Sequence, residues 1–130
     1  MKRIFFYLAS ALLLTLVACG KDDCEADNLE TTVVGEWNVS LKDGFGIVLG
    51  QVQFHANGTL TDQTGVLVTD EIGGIAVESK SWEVPSNSTI RLTASNSQMS
   101  LDTDVDVTSF ECNEMNVTYQ GTDLILKRRD

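Results

Sequence analysis

The segment VVGEWNVSLK at positions 33–42 decides the fold, because its apolar and polar residues alternate almost one by one. One set of alternate positions holds only apolar residues and a glycine: Val33, Gly35, Trp37, Val39 and Leu41. Successive side chains of a β-strand point to opposite faces, so this alternation is typical of a strand with one buried face. The sequence therefore predicts a half-buried strand that carries Trp37 on its inner side.

Further strand-like segments follow at regular spacing toward the C-terminus. They span residues 45–55, 59–69 (one strand, or two broken at Gly65), 75–84, 89–93, 99–110, 114–120 and 122–128. Turn-forming residues separate them, at 56–58, 70–74, 85–88, 95–97 and 120–121. Outside the N-terminal segment, the chain has no convincing apolar period of 3.6 residues. About eight short strands predict an antiparallel barrel or sandwich, and the hairpin-like joints favour a simple meander.

The N-terminus has the features of a secretory signal. Lys2 and Arg3 precede residues 4–18, which are apolar apart from Ser10 and Thr15. This run is shorter than the roughly 20 residues that a spanning helix needs. It ends in Leu16-Val17-Ala18-Cys19, which resembles the lipobox of bacterial lipoproteins. That resemblance implies cleavage of a signal peptide, residues 1–18, and lipid on Cys19 that anchors the chain to a membrane without spanning it.

Residues 19–30 are polar and charged without periodicity, which predicts a lipidated tether. Within them, Lys21-Asp22-Asp23 after Gly20 resembles the surface-export signal of Bacteroides-type lipoproteins. The alternative is that this charged run is only a solvated linker. The expected location is therefore the cell envelope, lipid-anchored in the outer membrane, on its surface or on its periplasmic side.

The composition limits the kinds of partner. Residues 19–130 contain seven basic and 19 acidic residues, a net charge of −12. A nucleic-acid-binding surface is basic, so this charge argues against nucleic acid, and it argues against a domain face lying on an anionic membrane. The length of the mature chain fits one domain, which we place at residues 31–130.

Two cysteines remain if Cys19 carries lipid. Cys24 and Cys112 would lie in an oxidising compartment, where a disulfide between them is expected. Two separate thiols are the alternative. With a single histidine, His55, these cysteines do not form a zinc-ligand set.

Two motifs point to a family. Gly35-Glu36-Trp37 opens the first strand, and Phe54-His55-Ala56-Asn57-Gly58-Thr59 forms the second turn. Together with Trp82 and the final Tyr119-Gln120-Gly121-Thr122, they resemble the small lipocalin-like domains of Bacteroides-type lipoproteins. The resemblance implies an all-β, up-and-down antiparallel barrel of about eight strands, with Trp37 packed across its closed end. It also implies a ligand site, for which Trp37, Phe54 and Trp82 are the candidate residues. For the two tryptophans a role in the core is the alternative, and it is the simpler interpretation.

Catalytic motifs are absent from the sequence: there is no Gly-x-Ser-x-Gly, no His-Glu-x-x-His and no phosphate loop. Asp102, Asp104 and Asp106 share a strand face and could bind calcium, but a solvated face is the simpler interpretation. We therefore expect no bound metal, no cofactor and no enzymatic activity. We expect a binding module for a small apolar or amphipathic ligand; the alternative is a protein-interaction or accessory subunit, or an inhibitor, with a filled barrel. Ile47 and Leu49 are predicted to be exposed lid or interface residues.

Overall fold

The structure, a computed structural model, describes residues 27–129. Within this range the chain forms one short helix, α1 (Leu29–Thr32), and ten strands. The strands are β1 (Gly35–Leu41), β2 (Val48–Phe54), β3 (Leu60–Thr61), β4 (Glu71–Ile72), β5 (Ile75–Ala76), β6 (Ser79–Ser86), β7 (Thr89–Ser95), β8 (Ser100–Phe110), β9 (Glu114–Tyr119) and β10 (Thr122–Arg128).

Eight of these strands form one antiparallel sheet in the order β3-β2-β1-β10-β9-β8-β7-β6. Each strand pairs with its neighbour in the chain, except that β10 returns to lie beside β1. An isolated bridge between Thr59 and Ser81 joins the two outer strands, and the Trp82 N–H donates to the Gly58 carbonyl at 2.9 Å. The sheet is thereby nearly closed into a barrel. The predicted all-β, up-and-down antiparallel barrel is confirmed.

The barrel interior is filled by side chains of the inward faces. In β1, Trp37 and Val39 are fully buried, as the alternation at positions 33–42 predicted. The prediction is wrong for the end of the strand: the register shift between Val39 and Ser40 inverts the alternation, so that Ser40 is buried and Leu41 is exposed. Phe54 and Trp82 meet edge to face, with ring centroids 5.7 Å apart and planes at 86°. Burying such side chains stabilises a domain by about 1.5–3 kcal/mol each.

The two ends of the barrel differ in construction. At what we call the closed end lie α1, the start of β1 and the turns at residues 55–58, 87–88 and 111–113. At the open end lie the turns at residues 42–47, 96–99 and 120–121, together with the long connection 62–78. Because α1 precedes β1, the N-terminal segment joins the barrel at its closed end.

Four predicted elements differ from the structure. The segment 59–69 is strand only at Leu60–Thr61, because Asp62 then turns the chain across the open end. The predicted loop 70–74 contributes strand β4 to a hairpin with β5, and β6 continues through Pro85 across a register shift. The predicted tether 19–30 ends early, since Asn28 caps α1 and Leu29 is fully buried in the core.

Candidate functional site at the open end

Trp37 forms the floor of the closed end. Its ring is fully buried, and its Nε1–H donates to the Val33 carbonyl at 2.8 Å. The adjoining helix α1 is held in place by the Leu29 N–H, which donates to Asn87 Oδ1 at 2.7 Å across the barrel end. The indole N–H of Trp37, the one polar group of its side chain, therefore has a hydrogen-bond acceptor, as burial of an indole requires.

Arg128 covers Trp37 from outside. The two residues are partners in the β1–β10 register, and the guanidinium carbon lies 4.3 Å from the indole centroid. Its nitrogens donate to three carbonyls: Nε to Cys112 at 2.8 Å, Nη1 to Val34 at 2.9 Å and Nη2 to Thr32 at 2.6 Å. Burial lowers the pKa of this guanidinium. Sequence reasoning missed Arg128, because nothing in a terminal Lys-Arg-Arg run distinguishes a structural arginine from a solvated one.

The same contact explains the glycine of the Gly-x-Trp motif. Gly35 has a φ of 135°, and a Cβ atom there would collide with the Arg128 guanidinium. Positive φ and close approach of a neighbour are the two conditions that favour glycine. In the motif at residues 35–37, the glycine thus leaves room for Arg128 to pack over the tryptophan at the closed end.

The three predicted ligand residues occupy the core and the closed half of the barrel. Trp37 and Phe54 are buried, and Trp82 donates its Nε1–H to the His55 carbonyl at 2.9 Å. None of the three lines the cavity at the open end or the groove along β2. Their role as ligand residues stays a prediction, and the cavity at the open end is a separate candidate site.

Residues 62–69, which we call the strap, cross the open end. The Asp62 side chain is only 2% exposed and organises the strap. Its Oδ1 accepts from the Val66 N–H at 3.0 Å, and its Oδ2 accepts from the N–H groups of Leu67 and Val68, each at 2.8 Å. These three charge-assisted bonds curl the strap inward, so that Leu67 and Val68 plug the top of the core.

Two side chains fasten the strap to the barrel wall. Lys80 Nζ donates to the Asp62 carbonyl at 2.7 Å and to the Val68 carbonyl at 3.2 Å, and it forms an ion pair with Asp70 at 2.7 Å. The Tyr119 hydroxyl donates to the Leu67 carbonyl. Burial raises the pKa of the Tyr119 phenol, and the nearby charge of Asp62 raises it further. The strap is thus a tied, preorganised element.

A cavity of about 310 Å³ lies between the strap and the wall of the barrel mouth. The strap contributes residues 65–69, and the wall contributes Leu92, Ala94, Leu101, Thr103, Tyr119 and Gln120. The volume is at the lower limit of small-molecule sites, which span roughly 300–1,000 Å³. The cavity ends at the strap because Leu67 and Val68 fill the interior below it.

The rim of the open end carries exposed apolar side chains among its polar residues. The large apolar residues that are exposed in the described range all lie at this end: Leu41, Phe45, Ile47, Val48, Leu49, Met99 and Leu101. Phe45 is 99% exposed and has a φ of 56°, between Gly44 and Gly46 at the tip of the β1–β2 turn. Ile47 and Leu49, predicted as lid or interface residues, belong to this tip. We call residues 45–49 the apolar tip.

The other predicted sites have ordinary surface partners. Asp104 pairs with Arg91, whose guanidinium lowers the pKa of this carboxyl, and Asp102 accepts from the Thr93 hydroxyl at 2.8 Å. His55 Nε2 lies 2.8 Å from the Thr61 hydroxyl. Across residues 27–129, no group of three or more His, Cys, Asp or Glu side chains could hold a metal ion.

The predicted lipid and disulfide sites fall mainly outside the described residues. Cys19 and Cys24 precede residue 27, so the Cys24–Cys112 bridge stays a prediction. Cys112 lies in the β8–β9 turn at the closed end, where Arg128 joins its carbonyl to that of Thr32. Helix α1 and Cys112 thus lie at the same end of the barrel.

No family model, curated protein or solved structure matches the chain. In the described range, no helix is long and apolar enough to cross a membrane. The functional interpretation therefore rests on the geometry of the open end.

Proposed function

We propose that this protein is a lipid-anchored, non-enzymatic binding module of a bacterial envelope, and that its open end recognises an apolar surface on a partner protein. The observation that carries this proposal is the grouping of the exposed large apolar residues at one end of the barrel. Scattered apolar residues need no explanation, but a contiguous patch with a polar surround is typical of interaction sites.

The position of the N-terminus agrees with this proposal. The chain joins the barrel at the closed end, so a lipid on Cys19 would attach the barrel by that end. The apolar tip would then point away from the membrane, toward other molecules of the envelope. The net charge of −12 keeps the rest of the domain soluble and disfavours contact with anionic lipid headgroups.

The structure of the tip favours recognition over packing. An exposed phenylalanine at positive φ is strained by about 1–3 kcal/mol, and its side chain makes no compensating contact within the domain. A protruding aromatic residue can fill a pocket on a partner, and aromatic anchors of this kind dominate many interfaces. The flanking glycines let the turn reach outward without further strain.

A second candidate function is the binding of a small apolar or amphipathic ligand, and the mouth cavity is the observation that favours it. A ligand there would contact Leu92, Leu101 and Tyr119 under the strap. Native mass spectrometry of protein purified from its own host tests this candidate. A bound molecule released by Leu101→Asp would support it, and a reproducibly empty protein would refute it.

Affinity capture tests the leading proposal. The mature protein, with its lipid, is used to isolate partners from detergent-solubilised host envelopes, beside a Phe45→Ser–Ile47→Ser double variant. A matched control carries Thr108→Ser on the barrel wall, where the side chain is exposed. We expect one stoichiometric partner that the double variant loses and the control retains. Equal recovery with all three proteins would contradict the proposal.

The anchor is tested separately. A Cys19→Ala variant should lose its lipid and move to the soluble fraction, because the acyl chains on Cys19 are the predicted membrane anchor of the mature domain. If this variant stays membrane-bound, the lipoprotein interpretation fails, whatever the open end binds.

A further inference from the structure

Strand β2 has an open backbone edge in its first half. Alternate residues of a strand direct their N–H and C=O groups to opposite neighbours. The His55 N–H donates to the Thr59 carbonyl, so the odd-numbered residues at this side of the hairpin face β3. Gln53 pairs with Thr61 in the same register, and Gln51 is the next odd-numbered residue. The backbone N–H and C=O of Gln51 therefore also point toward the β3 side.

That side of Gln51 has no strand beside it. β3 ends at Thr61, and no described residue makes a backbone hydrogen bond to Gln51 there. The cause is the strap, because the bonds to Asp62 pull residues 64–68 inward, over Gly50. β2 and the strap therefore diverge after Thr61, and we call the space between them the wedge.

The wedge is a groove of about 410 Å³ on the outside of the barrel. It runs along β2 and is lined by Val48, Gln51, Gln53, Thr61, Gln63 and Thr64, among others. Its outer wall carries mostly amide and hydroxyl side chains, with one carboxylate, that of Glu36. Amide and hydroxyl groups both donate and accept hydrogen bonds, as does an extended peptide backbone.

The edge carries little of the protection that exposed strand edges normally have. Natural edges are blocked by charged residues, by proline, by β-bulges or by a covering loop. β2 has one register shift, which leaves Leu49 as an extra residue opposite Val39 and Ser40. Residues 45–54 contain no charged residue and no proline, and the apolar tip continues directly into the open half of β2. From Gly50 onward, an uncharged edge next to exposed apolar residues is suited to pairing with another strand.

We infer that the wedge binds an extended segment of the partner protein, which adds to the barrel as a strand beside β2. This inference rests on the proposed function and specifies its mode of recognition. When a peptide adds to a sheet edge, main-chain hydrogen bonds supply affinity, and pockets for alternate side chains supply specificity. In this protein the main-chain bonds would be made to Gln51. Apolar side chains of the segment would contact Val48 and the apolar tip, and polar ones would lie beside Gln53.

The charge of the molecule specifies the segment further. An acidic domain with a net charge of −12 favours a neutral or basic segment over an acidic one. The same charge disfavours a second copy of this chain as the occupant. Antiparallel pairing of two β2 edges would also invert one barrel relative to the other, so that the two closed ends, and the two predicted anchors, would point in opposite directions.

The test uses a displayed library of random 12-residue peptides, selected against the mature chain carrying Cys19→Ala. Enriched peptides are then measured on wild type, on Gln51→Pro and on the control Gln51→Thr. Proline removes the outward N–H and leaves the β1 ladder intact, whereas threonine keeps the N–H. We expect Gln51→Pro to weaken binding at least tenfold and Gln51→Thr to change it less than threefold.

A second measurement keeps the inference falsifiable if Gln51→Pro disturbs the fold. Hydrogen exchange of the Gln51 amide in the wild-type protein should slow at least tenfold when an enriched peptide saturates it. A selection that enriches no peptide, or peptides that leave this amide unprotected, would overturn the inference. So would a dimer in sedimentation that Gln51→Pro dissociates, because the occupant would then be a second copy.

The two proposals fail separately. If the double variant at Phe45 and Ile47 loses the captured partner while Gln51→Pro retains it, the open end binds a partner but the wedge does not. If neither change affects capture, the proposed function itself is wrong.

Discussion

Both ends of the barrel contain β-hairpin turns, yet large side chains are buried at the closed end and exposed at the open end. At the closed end, Trp37 is covered by α1 and by Arg128, and its N–H is bonded. At the open end, Phe45 stands in solvent on a turn with positive φ. The difference indicates that one end stabilises the barrel, whereas the other is free to serve recognition.

The sharpest test of this division replaces two phenylalanines, one toward each end. Phe54→Ala removes a ring that is 1% exposed, and should lower the free energy of unfolding by about 3–5 kcal/mol. Phe45→Ala removes a ring that is 99% exposed, and should change it by less than about 0.5 kcal/mol. Urea denaturation of both variants measures the difference. Equal losses would show that the tip is part of the core.

Arg128→Ala should produce the next largest effect. It leaves the carbonyls of Thr32, Val34 and Cys112 without their donor and uncovers Trp37, at a cost of about 2–3 kcal/mol. Lys127→Ala on the same strand is the control, because Lys127 is exposed, and it should be nearly neutral. Thermal unfolding compares the two, and a neutral Arg128→Ala would refute the assigned role of this residue.

The strap should loosen without unfolding the barrel when Asp62 is replaced. Asp62→Ala leaves the N–H groups of Val66, Leu67 and Val68 without an acceptor, which costs about 1–3 kcal/mol. Hydrogen exchange of these amides should accelerate, while the amides of the closed end keep their protection. Gln63→Ala, at an exposed neighbour, is the matched control. Uniform acceleration across the barrel would contradict a locally tied strap.

Alkaline pH should produce the smallest effect. The pKa of Tyr119 is raised in the folded state, so above about pH 10 the unfolded phenol loses its proton while the folded phenol retains it. The folded state then binds more protons, and stability falls as the pH rises. Wild type should lose stability in this range more steeply than Tyr119→Phe. Tyr119 is the one tyrosine of residues 19–130, so tyrosinate absorbance reports its titration directly.

The sequence predicts the repetitive parts of this fold better than its special contacts. Alternation at residues 33–42 and the Asn57-Gly58 turn report local geometry, and both predict the barrel correctly. The strap was predicted as strand, because Val66, Leu67 and Val68 are strand-forming residues and the effect of Asp62 arises only from hydrogen bonds. Arg128 stayed hidden for a similar reason, since its partners Thr32 and Val34 lie more than 90 residues away in the chain.

The candidate site follows from the sequence less directly than the fold. Trp37, Phe54 and Trp82 were candidates for a ligand site, with a core role as the alternative, and all three are part of the core. Ile47 and Leu49 were predicted to be exposed, and both are. Their role as lid or interface residues stays a prediction. The wedge beside β2 follows from where β3 ends, which no local pattern in the sequence specifies.

Recognition of a partner by the open end can be tested in the host by site-specific photocrosslinking. A photoreactive phenylalanine analogue is placed at Phe45 on the open end or at Glu111, an exposed residue of the closed end. We expect one discrete protein adduct from position 45 and none from position 111. Purified wild-type protein should compete this adduct away, and the Phe45→Ser–Ile47→Ser variant should not. A discrete, competable adduct from position 111, with none from position 45, would show that the partner binds the closed end instead.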